Sequence, residues 1–530
     1  MALEGALRLL NIGVDTSLVI PTSTAMKSDA PSYSHQFNGA ADLVYYGPTD
    51  LSGPEIRPFN LPKPENTLRI IVLGESTVMG FPYASELSFP RHVEMQLLYQ
   101  QPERPVEVLN AGITGINSFA LADLAEQCLE ASPDLIVLHI GHNEFYGTGG
   151  PGSSAFNFHP SIIRAAFAVR HLRTIQLLAG GYGKAIMQDD LFNTLPRQLD
   201  IPLSSSIYVQ AKQNFETNLK RIVATCSQAK VPLLLAPVAC NLRDQSPMMA
   251  VWPETARTGR TEWKNLMSQA ADLMAQNDFK NALTIVEEAT TLIPQHAESQ
   301  YRLGQCLHKL NRQDEAYLAF SRARDLDACR YRMPSEFYSV ALSVIADRDQ
   351  CYYFDIQQGF KTAGFLSAPG NELFTEHVHY NFNGHYVLGK LIAEAIQTQC
   401  LSQPWDAGKV PDLQQASDFL GFLTEDDLAA ASFVIQMLET GPFLKCVDRE
   451  NQLAYLVNRA KELFESMPEN RQNAFADLQL PQLSNDILLH LLAAHERNGD
   501  EDFCKTIAKC HELRNPWLST TNSRAVSPKK

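Results

Sequence analysis

The sequence predicts a three-layer α/β/α sandwich around a five-stranded parallel sheet, with a helical insert and an all-α C-terminal region. Three observations predict it. Five short runs are almost continuously apolar and β-branched, as strands buried on both faces are. Helical stretches separate the runs, so strand and helix alternate. The gap before the fifth run is too long for a crossover, so further structure is inserted there.

Length and composition bound the rest. At 530 residues, and roughly 150 per domain, the chain holds three to four structural units. It needs no disulfide or metal to fold. Lys and Arg number 44 and Asp and Glu 59, a formal charge of 44 − 59 = −15. An acidic chain is a poor match for a phosphate backbone, so no nucleic-acid partner is expected. The 45% hydrophobic and 19% charged residues fit a globular protein rather than a disordered one. The ten cysteines (128, 226, 240, 306, 329, 351, 400, 446, 504 and 510) form no CxxC and read as reduced core residues. No apolar run reaches about 18 residues, so no transmembrane segment is expected. The start, MALEGALRLLNIG, has no apolar signal region. As the chain stands it reads as cytoplasmic. A longer native N-terminus would make it extracytoplasmic and membrane-anchored.

The elements follow in order. Residues 1–66 read as an N-terminal arm or leader, since 20–66 are rich in Pro, Ser and Asn with little periodicity. The five strands are LRIIVL (68–73), PVEVLN (105–110), DLIVLHI (134–140), VPLLLAP (231–237) and CYYFD (351–355). Helices fit 85–100, 118–131 and 207–229. Residues 161–187 form a cationic amphipathic stretch with Arg164, Arg170 and Arg173. It reads as a lid or membrane-surface helix, or as a helix packed on the sheet with its charged face in water. The sandwich then spans 67–255 and 333–400, the insert 256–332 and the helical region 401–530. Within that region, 424–439, 449–466 and 484–512 carry apolar residues at helical spacing. The tail NSRAVSPKK reads as solvated.

The insert repeats itself. Leu273, Ala282, Val286, Ala289 and Pro294 align with Leu307, Ala316, Phe320, Ala323 and Ala328, each pair 34 apart. Ala at 282 and 316 suits close helix approach. This period resembles the tetratricopeptide repeat, which implies a groove for a protein or peptide partner. An ordinary antiparallel helix pair is the plainer alternative.

Ligands of an open parallel sheet bind beyond the carboxyl ends of its strands. Gly74-Glu75-Ser76 follows strand one, and Asn110-Ala111-Gly112 closes strand two. Gly141-His142-Asn143-Glu144 follows strand three, and Glu376-His377-Val378-His379 lies beyond strand five. These stations hold a hydroxyl, backbone N–H groups, a carboxamide and a carboxylate beside an imidazole. A serine hydroxyl needs a positioned base, for which His379 is the candidate, oriented by Glu376 three residues earlier. The N–H groups of Ser76 and Gly112 and the Asn143 side chain are candidate oxyanion donors.

Plainer readings stand beside these. Ser76 alone reads as a turn or cap residue, Gly112 as a tight-turn glycine and Asn143 as a loop bridge. His377-x-His379 with His385, His139 and His142 has the look of a metal site, but no Cys or Asp ligand is grouped nearby, so no metal is expected. His142, Asn241 and His377 are possible substrate-binding residues. His142 and His377 serve equally as packing residues, and Asn241, with Asp244, as a loop-fixing one. GGPGSS (149–154) lacks the Lys of a P-loop and reads as a rim loop.

The four stations resemble the SGNH (GDSL-type) hydrolase family. GES (74–76) stands for GDS, NAG (110–112) and GHNE (141–144) for the second and third blocks, and EHVH (376–379) for DxxH. The resemblance covers about 67–255 and 333–400. It implies a flavodoxin-like sandwich and a cofactor-free serine esterase acting on a small-molecule, glycan or lipid ester. Ser76 would be its nucleophile, Glu376 and His379 the rest of a triad, and Gly112 and Asn143 the oxyanion hole. GESTV lacks the final Gly of GxSxG, which argues against an α/β-hydrolase. More narrowly, GHNEFYG, PVACNLRD (237–244) and EHVHYNFNGHYVLG (376–389) look like bacterial SGNH proteins fused to tetratricopeptide repeats. Two departures stand out. Members of that subgroup often begin with a membrane anchor, and Glu replaces Asp here at 75, 144 and 376. The same residues serve an O-acyltransferase. A tetratricopeptide adaptor with a catalytically silent sandwich is the alternative of another class.

Overall fold

The computed structural model describes residues 57–153, 158–178, 196–253, 258–365, 368–476 and 500–516. It also describes 2–10, 12–13, 16–21 and 43–45, and the positions 256, 478, 487–488, 491 and 494–495. Ser154, the 179–187 part of the cationic stretch, most of 479–499 and the tail from 517 lie outside the described residues.

Helix α1 (Ala2–Leu9) comes first. Strands β1 (Val19–Pro21), β2 (Leu43–Tyr45) and β3 (Arg57–Phe59) then pair antiparallel in a small sheet. The reading of 20–66 as an arm does not include these short strands. Strands of three residues are too short to display an alternation, so the pattern carried no signal. Leu18 and Phe59 join the main core. Buried Arg57 pairs with Glu94 and donates Nη1–H to the Val108 carbonyl at 2.6 Å.

The main sheet begins with β4 (Leu68–Gly74), followed by α2 (Ser76–Met79) and α3 (Phe89–Gln100). Then come β5 (Val106–Gly112), α4 (Ser118–Cys128) and β6 (Leu135–His139). Helices α5 (Pro160–Val169), α6 (Arg173–Leu178) and α7 (Ser206–Ala229) lead to β7 (Leu233–Leu235). The insert is two helix hairpins, α8 (Arg260–Ala275) with α9 (Phe279–Leu292) and α10 (Ala297–Lys309) with α11 (Gln313–Leu326). Helix α12 (Ser335–Ile345) leads into β8 (Cys351–Tyr353), α13 (Ile356–Thr362) and α14 (Phe382–Ala395). The C-terminal region contributes α15 (Leu413–Leu420), α16 (Thr424–Leu438), α17 (Arg449–Ser466), α18 (Glu469–Ala476) and α19 (Glu501–Arg514).

The strand order is β5-β4-β6-β7-β8, every pair parallel. The period of two divides the side chains between the layers. Ile70 and Val72 pack with Phe89, Val93, Leu388 and Ile392 on one face. Ile71 and Leu73 pack with Leu121, Phe215 and Phe337 on the other. Burial on both faces is why these runs are apolar throughout. Met437 and Leu438 of α16 and Leu456 of α17 enter the same core, so the C-terminal helices are part of the body around the sheet.

The hairpins explain the 34-residue period. Ala282 and Ala316 are fully buried, and a Cβ at Gly304 would meet the Phe320 ring at 2.7 Å. Small residues sit where the helices touch. One face of α10 is already occupied. Tyr301 donates to the Arg243 carbonyl at 3.0 Å, and Arg302 and Gln305 both bind Asp448 at 3.0 Å.

Over α5 and α6 the charged-face-outward expectation is inverted. Arg170 pairs with Asp123 at 3.1 Å, Arg164 donates to Asn218 at 3.1 Å, and Arg173 is buried. Ile162, Ile175, Leu177 and Leu178 are the exposed residues. Polar partners on α4 and α7 draw the guanidinium groups inward. Among the described residues, no helix is long and apolar enough to cross a membrane.

Candidate active site

Four segments converge at the carboxyl rim of the sheet. Gly74 pairs with Gly112 on one side and His139 on the other, so the ends of β4, β5 and β6 are level. The chain turns after Gly74, and half-buried Ser76 opens α2. From beyond β8, His379 brings Nε2 to 2.8 Å from Ser76 Oγ. Its Nδ1 lies against Glu376 Oε1. The partners set the tautomer: Nδ1–H donates to the carboxylate, and Nε2 accepts from the hydroxyl. Burial holds His379 down at about 3, so the ring is neutral.

Glu376 reaches His379 by folding back on its own backbone. It accepts the His377 N–H at 2.6 Å and the His379 N–H at 2.7 Å, with the Val378 N–H at 3.3 Å. The longer Glu arm makes this wrap. His377 Nδ1 also lies against the carboxylate.

The candidate oxyanion donors differ. Asn143 Nδ2 is buried without a hydrogen-bond partner. An unsatisfied buried donor is costly, and Asn117 and Asn214 each hold one as well. The Gly112 N–H is already engaged, donating to Asn110 Oδ1 at 2.9 Å. Gly112 has a second role. A Cβ there would sit 2.1 Å from Met79 N and 2.6 Å from Val78 C, so only glycine lets α2 lie against β5.

Two acids hold the third block in place, a role the sequence reading missed. Glu75, fully buried, accepts the Gly141 N–H at 3.2 Å and the His142 N–H at 3.0 Å. Burial, with the Glu144 charge nearby, pushes it up to about 8. Glu144 accepts from Ser118 N at 2.9 Å and Oγ at 2.6 Å, and burial pushes it up to about 7. Buried carboxyls after two strand ends were the available signal.

The three possible substrate-binding residues all have partners inside the protein. His142 donates Nε2–H to the Ala239 carbonyl at 3.1 Å, and its Nδ1 accepts the Met333 N–H at 3.3 Å. Asn241 Oδ1 accepts the Asp244 N–H at 2.9 Å, and its Nδ2 donates to Asn371 Oδ1 at 2.9 Å. His377 packs its ring against Tyr331 and Phe443, with centroids 5.8 and 5.1 Å away. All three are buried and engaged within the protein. Among the described residues, no group of three or more His, Cys, Asp or Glu side chains is placed to hold a metal ion.

Comparison with known proteins bears on the insert. The tetratricopeptide repeat family matches residues 273–328, so the insert carries tetratricopeptide repeats. No curated protein matches the chain. Solved structures match at low identity. One is a candidate lipolytic protein of the G-D-S-L family from Desulfitobacterium hafniense DCB-2, at 13% identity over 32% of this chain and 59% of that one, TM-score 0.18. That match spans less than two thirds of the relative's length. A second is the lipase/acylhydrolase from Enterococcus faecalis, at 12% identity over 62% of this chain and 95% of that one, TM-score 0.27. A third is LAE5, an alpha/beta hydrolase enzyme from the metagenome of Lake Arreo, Spain, at 12% identity over 63% and 96%, TM-score 0.29. None of these carries chemistry over to this chain. The sheet is a five-stranded parallel one of order β5-β4-β6-β7-β8, and tetratricopeptide repeats are inserted between its fourth and fifth strands in the chain.

Proposed function

We propose that the chain is a serine hydrolase that cleaves an O-acyl ester through an acyl-enzyme. The 2.8 Å contact between Ser76 Oγ and His379 Nε2, across 303 positions of chain, carries the reading. Ser76 Oγ attacks the ester carbonyl while Nε2 takes its proton. Glu376 stabilises the imidazolium that forms. The carbonyl oxygen becomes an oxyanion, for which Asn143 Nδ2 and the Ser76 N–H are the proposed donors, joined by the Gly112 N–H once it leaves Asn110. The tetrahedral adduct collapses, the C–O bond breaks, and His379 returns the proton to the leaving alcohol. Water, deprotonated by His379, then cleaves the acyl-serine. Positioned donors of this kind supply about 10²–10³ in rate each. No step calls on a cofactor.

Labelling with a fluorophosphonate probe, followed by peptide mapping, tests this. The expected adduct is on Ser76, and Ser76→Ala does not label. A folded wild-type protein that never labels would favour the adaptor. An added alcohol acceptor separates transfer from hydrolysis, since an acyltransferase yields a new ester in place of free acid. A protein or peptide partner on the repeats must use surface other than the α10 face filled by Arg243 and Asp448.

A further inference from the structure

The C-terminal helices reach the triad. The Phe81 ring stands edge-on to the His379 ring, with centroids 4.6 Å apart at 61°. The Phe433 ring, from the middle of α16, stands edge-on to Phe81 at 5.0 Å and 85°. Both rings are only half-buried. Helix α16 is fixed in place. Val434, Met437 and Leu438 are in the main core, Ala430 packs with Tyr83 and Leu87, and Tyr83 donates to Asp427 at 2.6 Å. Phe433 is therefore held in position, with part of its ring left open.

The chemistry tells which side of the substrate this pair meets. His379 Nε2 gives its proton to the leaving oxygen, so the alcohol departs along the imidazole. The apolar ring packed on that imidazole is Phe81, nearer to it than the His377 ring at 6.1 Å, and Phe433 extends the same wall. Neither ring carries a polar atom, so the wall offers dispersion and aromatic contact but no hydrogen bond. We infer that Phe433, supplied by the C-terminal helical region, is a specificity-determining residue that with Phe81 walls the leaving-alcohol side of the site and selects esters of apolar alcohols. The inference rests on the serine-hydrolase reading above and adds to it the class of alcohol released.

The test compares methyl, butyl and benzyl acetates with wild type, Phe433→Ala and Phe433→Leu. Fluorophosphonate labelling and thermal unfolding are followed in parallel. Taking the variant-to-wild-type ratio of kcat/KM for each ester cancels the intrinsic reactivity of the alcohols. The expected loss in Phe433→Ala is about tenfold larger for benzyl than for methyl acetate, with butyl acetate between. Phe433→Leu restores most of the butyl acetate rate, because an apolar contact returns. A loss by one common factor across the three acetates overturns the inference while leaving the hydrolase reading intact. So does a wild type that labels at Ser76 yet hydrolyses none of them. A wild type that neither labels nor hydrolyses any ester refutes both.

Discussion

Gly112→Ala separates the geometry of the serine turn from the supply of oxyanion donors. Alanine keeps the Gly112 N–H and adds one methyl. That methyl would lie 2.1 Å from Met79 N, 2.6 Å from Val78 C and 2.7 Å from Met79 Cα, all backbone atoms. Ordinary contact begins near 3.4 Å, so α2 or the end of β5 must retreat by more than an ångström. Ser76 is the first residue of α2 and moves with it. A displacement of about 1 Å at a reacting group costs about 10²-fold in rate, or about 2.7 kcal/mol of barrier. Overpacking adds about 1–3 kcal/mol of lost folding stability. The assays are the fluorophosphonate labelling rate, kcat on an aryl acetate and the melting temperature by circular dichroism. A variant that labels within threefold of wild type and melts at the same temperature would refute the reasoning, because the Gly112–Met79 approach would then not set the position of Ser76.

Two further outcomes follow from the same geometry. Asn143→Ala removes a buried donor that has no partner in the resting protein, so folding stability stays near wild type while kcat on an aryl acetate falls about 10²–10³-fold. A drop in melting temperature with kcat unchanged would make Asn143 a loop bridge. The pH dependence of stability has its own shape. Burial lowers His92, His139, His142, His296, His377, His379 and His385 below the ordinary 6.5, so the unfolded chain takes up protons first and stability falls as pH drops below about 6.5. Glu75 and Glu144, raised to about 8 and about 7 from 4.5, act in the opposite sense, costing stability as pH rises from 4.5 through those values. With more histidines than glutamates involved, the urea midpoint peaks near pH 6.5. It falls steeply toward 4.5 and slightly toward 8. A midpoint that rises on acidification from 6.5 would contradict the assignment.

The sheet was legible because burial on both faces leaves a composition signal that needs no periodicity. Ile70 to Leu73 could not be a solvent-facing strand. The repeats were legible because hairpin stacking fixes which positions must be small, and Ala282 and Ala316 carry that at a constant spacing. Of the candidate site, residue types at strand ends were legible, and Ser76, His379 and Glu376 do meet in space. What sequence could not give is where a polar atom spends its hydrogen bonds. His142 and Asn241 stand at the rim, yet partners from Ala239, Met333, Asp244 and Asn371 engage both ring nitrogens of the one and one donor and one acceptor of the other. Phe81 and Phe433 were invisible for a different reason. They meet only because α16 folds back over the rim, and no local pattern records a contact between such distant positions.

Val378 stands between Glu376 and His379 in the chain, and its side chain lies in the apolar cluster that holds Ala282, Tyr301 and Phe320 of the repeats. The loop that carries Glu376 and His379 and the solenoid thus share one patch of oil. The insert is therefore no detachable accessory. Trimming the chain to its sandwich would strip the packing from Val378, the neighbour of His379, and a shortened chain made that way would be a different machine.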